Sequence, residues 1–175
     1  GYTTATHASA GKGYWLKFSG DGSFVVPEGN QILEATIPVQ PNWNIIGALG
    51  QSIPTANVQS DPLGNVASSY FAYDPGSGYT SVTTLEAGRG HWIKTTASGT
   101  LTLSADATAP LKADVAAVDL DAINSVTVTD ARGRSQKLYF GELDIRTDLS
   151  AYELPPVPPV GSFDARFASQ RMVEI

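Results

Sequence analysis

Turn signals recur along this chain at intervals too short for any long helix. They read "SGDGS" (19–23), "PEGN" (27–30), "VQPN" (39–42), "DPLGN" (61–65), "DPGSG" (74–78), "EAGRG" (86–90) and "TASG" (96–99). Glycine admits positive φ, proline fixes φ and removes a donor, and Asp or Asn side chains close turns on their own backbone. The intervening runs are rich in Val, Ile, Thr and Tyr, which suit a pleated, half-buried surface. The pattern predicts strands at Gly22–Val26, Gln31–Val39, Trp43–Ala48, Ser69–Tyr73, Tyr79–Thr84, His91–Thr96 and Thr100–Ser104. Short strands at this spacing imply an all-β chain built of antiparallel sandwich or barrel-like modules, with little or no helix. Further on, Ser125–Thr129 and Gln136–Phe140 flank "DARGRS" as a hairpin with Gly133 at its tip, and Lys112–Leu120 is a weak helix candidate.

The chain also resembles itself. "GYTTATHASAGKGYWLKFSGDGSFVV" (1–26) aligns without a gap over "GYTSVTTLEAGRGHWIKTTASGTLTL" (78–103), with ten of 26 positions identical. Self-similarity at a fixed offset signals a repeated structural unit, here of about 77 residues. Residues 1–18 then form the C-terminal part of a preceding unit, 19–108 a complete β-rich module, and 109–175 a second β-rich module, with a boundary near 105–112. Either the chain is a piece of a longer array, or the leading partial unit, whose strand edges are left unpaired, pairs with a neighbouring subunit.

Within the repeated string, alternation puts Tyr14, Leu16 and Phe18 on one face, matching His91, Ile93 and Thr95, and marks that face as core. Trp15 and Lys17 share the other face and recur as Trp92 and Lys94, which suggests a half-covered surface with each Lys stem lying along an indole. The glycines of "GKG" and "GRG" suggest a bulge or tight corner. "PNWNIIGALG" carries the third tryptophan, Trp43, on an expected central strand. "YELPPVPPVGSFDARF" (152–167) places four of eleven prolines within five residues, so 154–160 reads as a stiff connector or a strap across the second module. "RFASQRMVEI" at the end reads as a strand entering a further module.

Several of these strings resemble a known pattern. "PNWNIIG", "YFAY", "LEAGRGHWIK" and "SGTLTLS", followed by "INSVTVTDARGRSQKLYFG" and "YELPPVPPVGSFDARF", are similar to β-rich modules of large secreted and surface proteins of Bacteroidota and related phyla. Such modules lie upstream of a C-terminal sorting domain used by type IX secretion. The resemblance covers most of residues 11–175 and implies an extracellular module in an adhesin-like or accessory region. The sorting domain itself is not in this sequence.

The chemistry is sparse. A net charge of −6 with scattered Lys and Arg argues against nucleic acid as a partner. There is no cysteine, hence no disulfide, thiolate site or Cys nucleophile. No apolar run reaches the roughly 18 residues that span a bilayer, and the N-terminal stretch lacks the features of a signal peptide. His7 and His91 are the only histidines, and His91 stands where the other copy has Tyr14, which a catalytic base would not tolerate. "GKG" and "GRG" do not extend to a phosphate-binding loop. Asp21, Asp61 and Asp74, and the pair Asp119 and Asp121, sit in turn-like settings that could offer oxygen to Ca²⁺, but their spacing fits Asx turns better.

What remains is aromatic: Trp15, Trp43, Trp92, Tyr73 and Tyr79 are the candidate ligand or interface residues, with Tyr70 beside them. The expectation is a non-enzymatic, extracellular or cell-surface structural module that scaffolds and self-associates. Its partners would be copies of itself or neighbouring modules, with a surface filament built by inter-subunit strand pairing as the fullest form. The alternative is a carbohydrate-binding module that offers those aromatic faces to a polysaccharide.

Overall fold

A computed structural model describes residues 2–20, 23, 29–105, 119–142 and 148–175. Those residues are all-β, and no helix among them exceeds four residues. Twelve strands follow one another: β1 (Glu34–Val39), β2 (Asn42–Gly47), β3 (Ile53–Pro54), β4 (Val58–Asp61), β5 (Tyr70–Asp74), β6 (Gly78–Val82), β7 (Thr84–Leu85), β8 (Gly90–Thr95), β9 (Gly99–Ser104), β10 (Asn124–Thr129), β11 (Ser135–Phe140) and β12 (Val173–Glu174). They form four sheets, in the orders β1-β9-β4, β2-β8-β5-β6, β3-β7 and β10-β11-β12.

Period-two alternation divides the side chains of the four-stranded sheet between two cores. On one face, Ile46, Tyr70 and Ile93 meet Ile37, Val39, Val58, Leu101 and Leu103 of the sheet that contains β1, β9 and β4. Ile53 and Leu85 from β3 and β7 close that core. On the other face, Phe71, Tyr79 and Trp92 meet Leu138, Tyr152, Leu154, Met172 and Val173 of the C-terminal residues. The four-stranded sheet is therefore buried on both sides, and β8 shows it directly, with His91, Trp92, Ile93 and Thr95 all buried. A strand covered on both faces has no solvent side to spare for polar residues.

Local chemistry fixes the turns. In "VQPN", Asn42 takes φ 75°, a conformation Asn tolerates better than most residues. Asn44, the Asn of the Trp-Asn pair, staples this turn. Its Nδ2 donates to the carbonyls of Gln40 (2.7 Å) and Asn42 (2.9 Å), and its Oδ1 accepts from the Gln40 N–H (2.9 Å). In "DPGSG", the Asp74 carboxylate accepts from the N–H groups of Gly76 (2.8 Å) and Ser77 (3.2 Å), an Asx turn. Asp119 caps a single 3₁₀ turn at Leu120–Ala122 by accepting from the Asp121 N–H. Asp21, Gly22–Val26 except Ser23, most of the Lys112–Leu120 helix candidate and most of the 105–112 boundary lie outside the described residues.

Five expectations need correction. First, the leading copy of the repeated string is not a strand. Only Lys12 makes a ladder contact, to Ile46, and no strand runs through 14–18. Leu16 and Phe18 are 71% and 66% exposed, whereas Ile93 and Thr95, their partners in the likeness, are buried. The second copy has β8 between two neighbours, and the leading segment has only the free edge of β2 to pair with. Second, the Trp/Lys face of β8 is not half-covered, because the C-terminal residues lie over it. Third, β2 is the edge of its sheet and not a central strand. Fourth, the Pro-rich segment is not confined to residues 109–175: it lies over the outer face of β5 and β6, where the Tyr79 hydroxyl donates to Pro156 O and the Tyr73 hydroxyl to Phe163 O. Fifth, the final strand stays at home: β12 pairs in parallel with β11, and Met172 and Val173 are buried in the second core.

Candidate functional site

The five candidate aromatics all lie on the outer face of the four-stranded sheet or against it. Tyr73 and Tyr79 are directly opposite each other on β5 and β6, with ring centroids 5.2 Å apart and edge-to-face. Trp15 stacks its edge on Tyr73 at 4.8 Å, and Tyr2 adds a further edge contact to Trp15 at 6.2 Å. Trp43 meets Phe71 at 6.0 Å, and Phe71 faces Trp92 across the β5–β8 pair. Edge-to-face pairs at 4.5–7 Å contribute about 0.5–1.5 kcal/mol each beyond burial.

Glycine lets Trp15 reach this place. A Cβ on Gly13 would lie 2.5 Å from Ile45 Cγ1 and 3.2 Å from Gly90 Cα. The two glycines of "GKG" and "GRG" at equivalent positions thus touch, and residues 14–18 pass over the sheet where neither chain carries a side chain. Before that crossing, the backbone pairs with β2 through Gly13 N–H to Ile45 O (3.1 Å) and Gly47 N–H to Gly11 O (2.9 Å).

Most of the aromatic surface is already engaged. Trp92 is 6% exposed and Tyr79 1%. The Tyr79 hydroxyl donates to Pro156 O at 2.9 Å, the Tyr2 hydroxyl to Val157 O at 2.9 Å, and the Tyr73 hydroxyl to Phe163 O at 2.9 Å. Arg166, held by Asp164 through two contacts of 2.7 and 2.8 Å, donates to Pro155 O at 2.9 Å and lies 5.9 Å over the Tyr79 ring. Burial, with the Tyr2 hydroxyl nearby, holds the Tyr79 phenol well above the ordinary tyrosine range, so it remains a donor at any physiological pH. On the opposite flank, Glu153 accepts from Trp43 Nε1 at 3.4 Å and from Lys94 Nζ at 2.6 Å. Trp43 and Lys94 are cross-strand partners, so one carboxylate from the C-terminal residues grips the Trp/Lys face.

A cleft of about 530 Å³ opens between the leading segment and the strap. Its floor is Ile45, Tyr73 and Trp92, and its rims include Trp15, Leu16 and Val160. Both guanidiniums at its mouth are neutralised: Arg89 pairs with Glu86 (2.9 Å) and lies 3.9 Å from Asp74, and Arg134 pairs with Asp130 (2.7 Å). The lining is mainly apolar and aromatic, with the exposed Lys17 on one rim, and is suited to stacking and van der Waals contact.

His91 does structural work. It is fully buried, and its Nε2 accepts from the Glu86 N–H at 3.2 Å, which closes the "EAGRG" turn. Burial lowers its pKa, so the ring is neutral. Among the described residues, no three His, Asp or Glu side chains gather as a metal site.

Sequence reasoning missed Tyr2, Glu153, Phe163 and Arg166, the groups that join strap to sheet. The one available signal was the coexistence of an aromatic-rich surface with a Pro-rich segment, since such surfaces bind such segments. Comparison with known protein families, curated proteins and solved structures finds no match for this chain.

Proposed function

We propose that this chain is a non-enzymatic structural module of an extracellular or surface-exposed bacterial protein, and that it works by holding a stiff bimodular shape and by self-association. The observation that carries the reading is the double burial of the four-stranded sheet. Trp43, Tyr73, Tyr79 and Trp92 are spent on joining the two modules through Glu153, Pro156 and Phe163. Residues invested in an internal interface build rigidity, as a load-bearing or spacing element requires. The extracellular setting is supported by the resemblance of the quoted motifs and by the low content of charged residues, 16%. No helix among the described residues is long and apolar enough to cross a membrane.

Self-association is supported by exposed apolar groups, namely Leu16, Phe18 and Val160, the last 97% exposed. It is supported also by β10, whose outer edge has no strand partner among the described residues and whose sequence "NSVTVT" carries no charge or proline to block pairing. Light scattering coupled to size exclusion, with electron microscopy at high concentration, tests it. The expected result is oligomers that Val126→Lys on β10 dissociates. Monomers at every concentration refute the assembly reading.

The second reading, a carbohydrate-binding module, draws on the cleft, where half-buried Trp15 and Tyr73 are reachable from solvent. Binding isotherms against soluble polysaccharides, with Trp15→Ala as the variant, decide it. Trp92→Ala is the wrong variant, because that side chain is part of the core.

A further inference from the structure

We propose that the aromatic groove on β5 and β6 is a polyproline-recognition site, filled in the single molecule by the chain's own strap and able to take a Pro-x-x-Pro segment presented by another chain. The strap "LPPVPP" (154–159) has the register such a site reads. Pro155 and Pro158 are buried while Pro156 and Val157 between them are exposed. A spacing of three matches the three residues per turn of polyproline II, which puts both prolines on one side. Nearly every residue in the segment is a proline or precedes one, so its backbone is restricted to extended conformations before it docks. Glu153, at its entry, has φ −61° and ψ 130°, already in that region.

The groove supplies the chemistry that fits this ligand. A polyproline strand has no N–H to offer at its prolines and presents carbonyls that no internal bond satisfies. Three successive carbonyls, of Pro155, Pro156 and Val157, accept from side-chain donors: Arg166 at 2.9 Å, Tyr79 at 2.9 Å and Tyr2 at 2.9 Å. The rings of Tyr2, Trp15, Tyr73 and Tyr79 form a continuous edge-to-face series beside those donors. Aromatic walls with hydroxyls aimed at proline carbonyls are how proline-rich segments are recognised in general. Two of these donors, Tyr2 and Tyr79, are more than 70 residues from the strap, so the match is not a product of local sequence. This proposal does not depend on the self-association reading: a monomer can carry the site.

The test uses the full chain and a synthetic peptide of residues 152–163. Host Pro155→Ser/Pro158→Ser loosens the resident strap, and the fluorescently labelled peptide should then bind at least tenfold more tightly than to the unaltered chain. A peptide with the same two serine changes should bind at least tenfold more weakly than the native peptide, and Tyr79→Phe in the altered host should weaken binding about threefold. If the serine peptide binds as well as the native one, or if a host with native-like circular dichroism binds neither, the proposal is wrong. Should the altered host fail to fold, the unaltered chain decides. A tethered segment competes at an effective concentration of about a millimolar. Several millimolar native peptide should therefore shift the Tyr79 ring resonances, and no shift there overturns the proposal.

Discussion

Leu16 and Ile93 occupy equivalent positions in the ungapped sequence likeness, yet the fold gives them opposite surroundings, 71% and 0% exposed. Truncating each to Ala is therefore a sharp comparison. Ile93 sits in the first core among Ile46, Leu101 and Leu103. Removing its methylenes there loses transfer energy and leaves a cavity, for about 2–5 kcal/mol. At Leu16 little burial is lost, and exposed substitutions stay within about 0.5 kcal/mol. Taking about 3 kcal/mol for Ile93→Ala, a chain of this size should lose about 6–12 °C in Tm. With a urea slope of about 2 kcal/mol/M, the midpoint should fall by about 1.5 M at unchanged slope. Equilibrium urea unfolding followed by circular dichroism reads both variants. If Leu16→Ala costs as much as Ile93→Ala, the two copies share one conformation, and the exposed placement of residues 14–18 is wrong.

Three further outcomes follow from the same contacts. His91 is buried neutral, with its pKa lowered from 6.5 by burial, so the unfolded chain binds more protons between the two pKa values. Its contribution is complete above about pH 6.5 and is lost as pH falls toward the folded value, so the urea midpoint should drop from pH 7 to pH 5 and His91→Gln should flatten that drop. Gly78→Ala should cost well over Gly64→Ala: both have positive φ, worth about 1–2 kcal/mol, but a Cβ at Gly78 would lie 2.1 Å from Gln136 Oε1 and one at Gly64 meets nothing within 4 Å. Equal losses by thermal unfolding would mean that Gln136 does not pack there. The Lys94–Glu153 pair is a quarter to a third exposed, so a double-mutant cycle of Lys94→Met and Glu153→Gln should give a coupling of about 1 kcal/mol, reduced in 1 M salt.

Local features of this fold were legible in the sequence and remote pairings were not. β1, β2, β5, β6, β8, β9, β10 and β11 fall within two or three residues of the expected strands, because Gly, Pro and Asp turns bracket them. The Asp74 turn and the Gly133 hairpin follow from residue chemistry alone. β3, β4 and β7 span two to four residues and carry too little pattern to detect, and β12 is defined only by its parallel partner β11. The leading segment misled for a definite reason. "GKGYWLKFS" has the composition of a strand, but pairing with β2 ends at Gly13, where the chain crosses over Gly90. The candidate aromatics do gather on and against one face of one sheet. Their engagement could not be read, because it depends on Tyr79 meeting Pro156, 77 positions further along the chain.

The central claim is that the outer aromatic face is closed by the chain's own Pro-rich strap. Nuclear Overhauser contacts between the Tyr79 ring protons and the α and δ protons of the Pro156–Val157–Pro158 stretch measure it in solution. The account predicts strong cross-peaks there, alongside those from Trp15 to Tyr73. Cross-peaks within the sheet, such as Tyr73 to Tyr79, with none to the strap would contradict it and leave the aromatic face open.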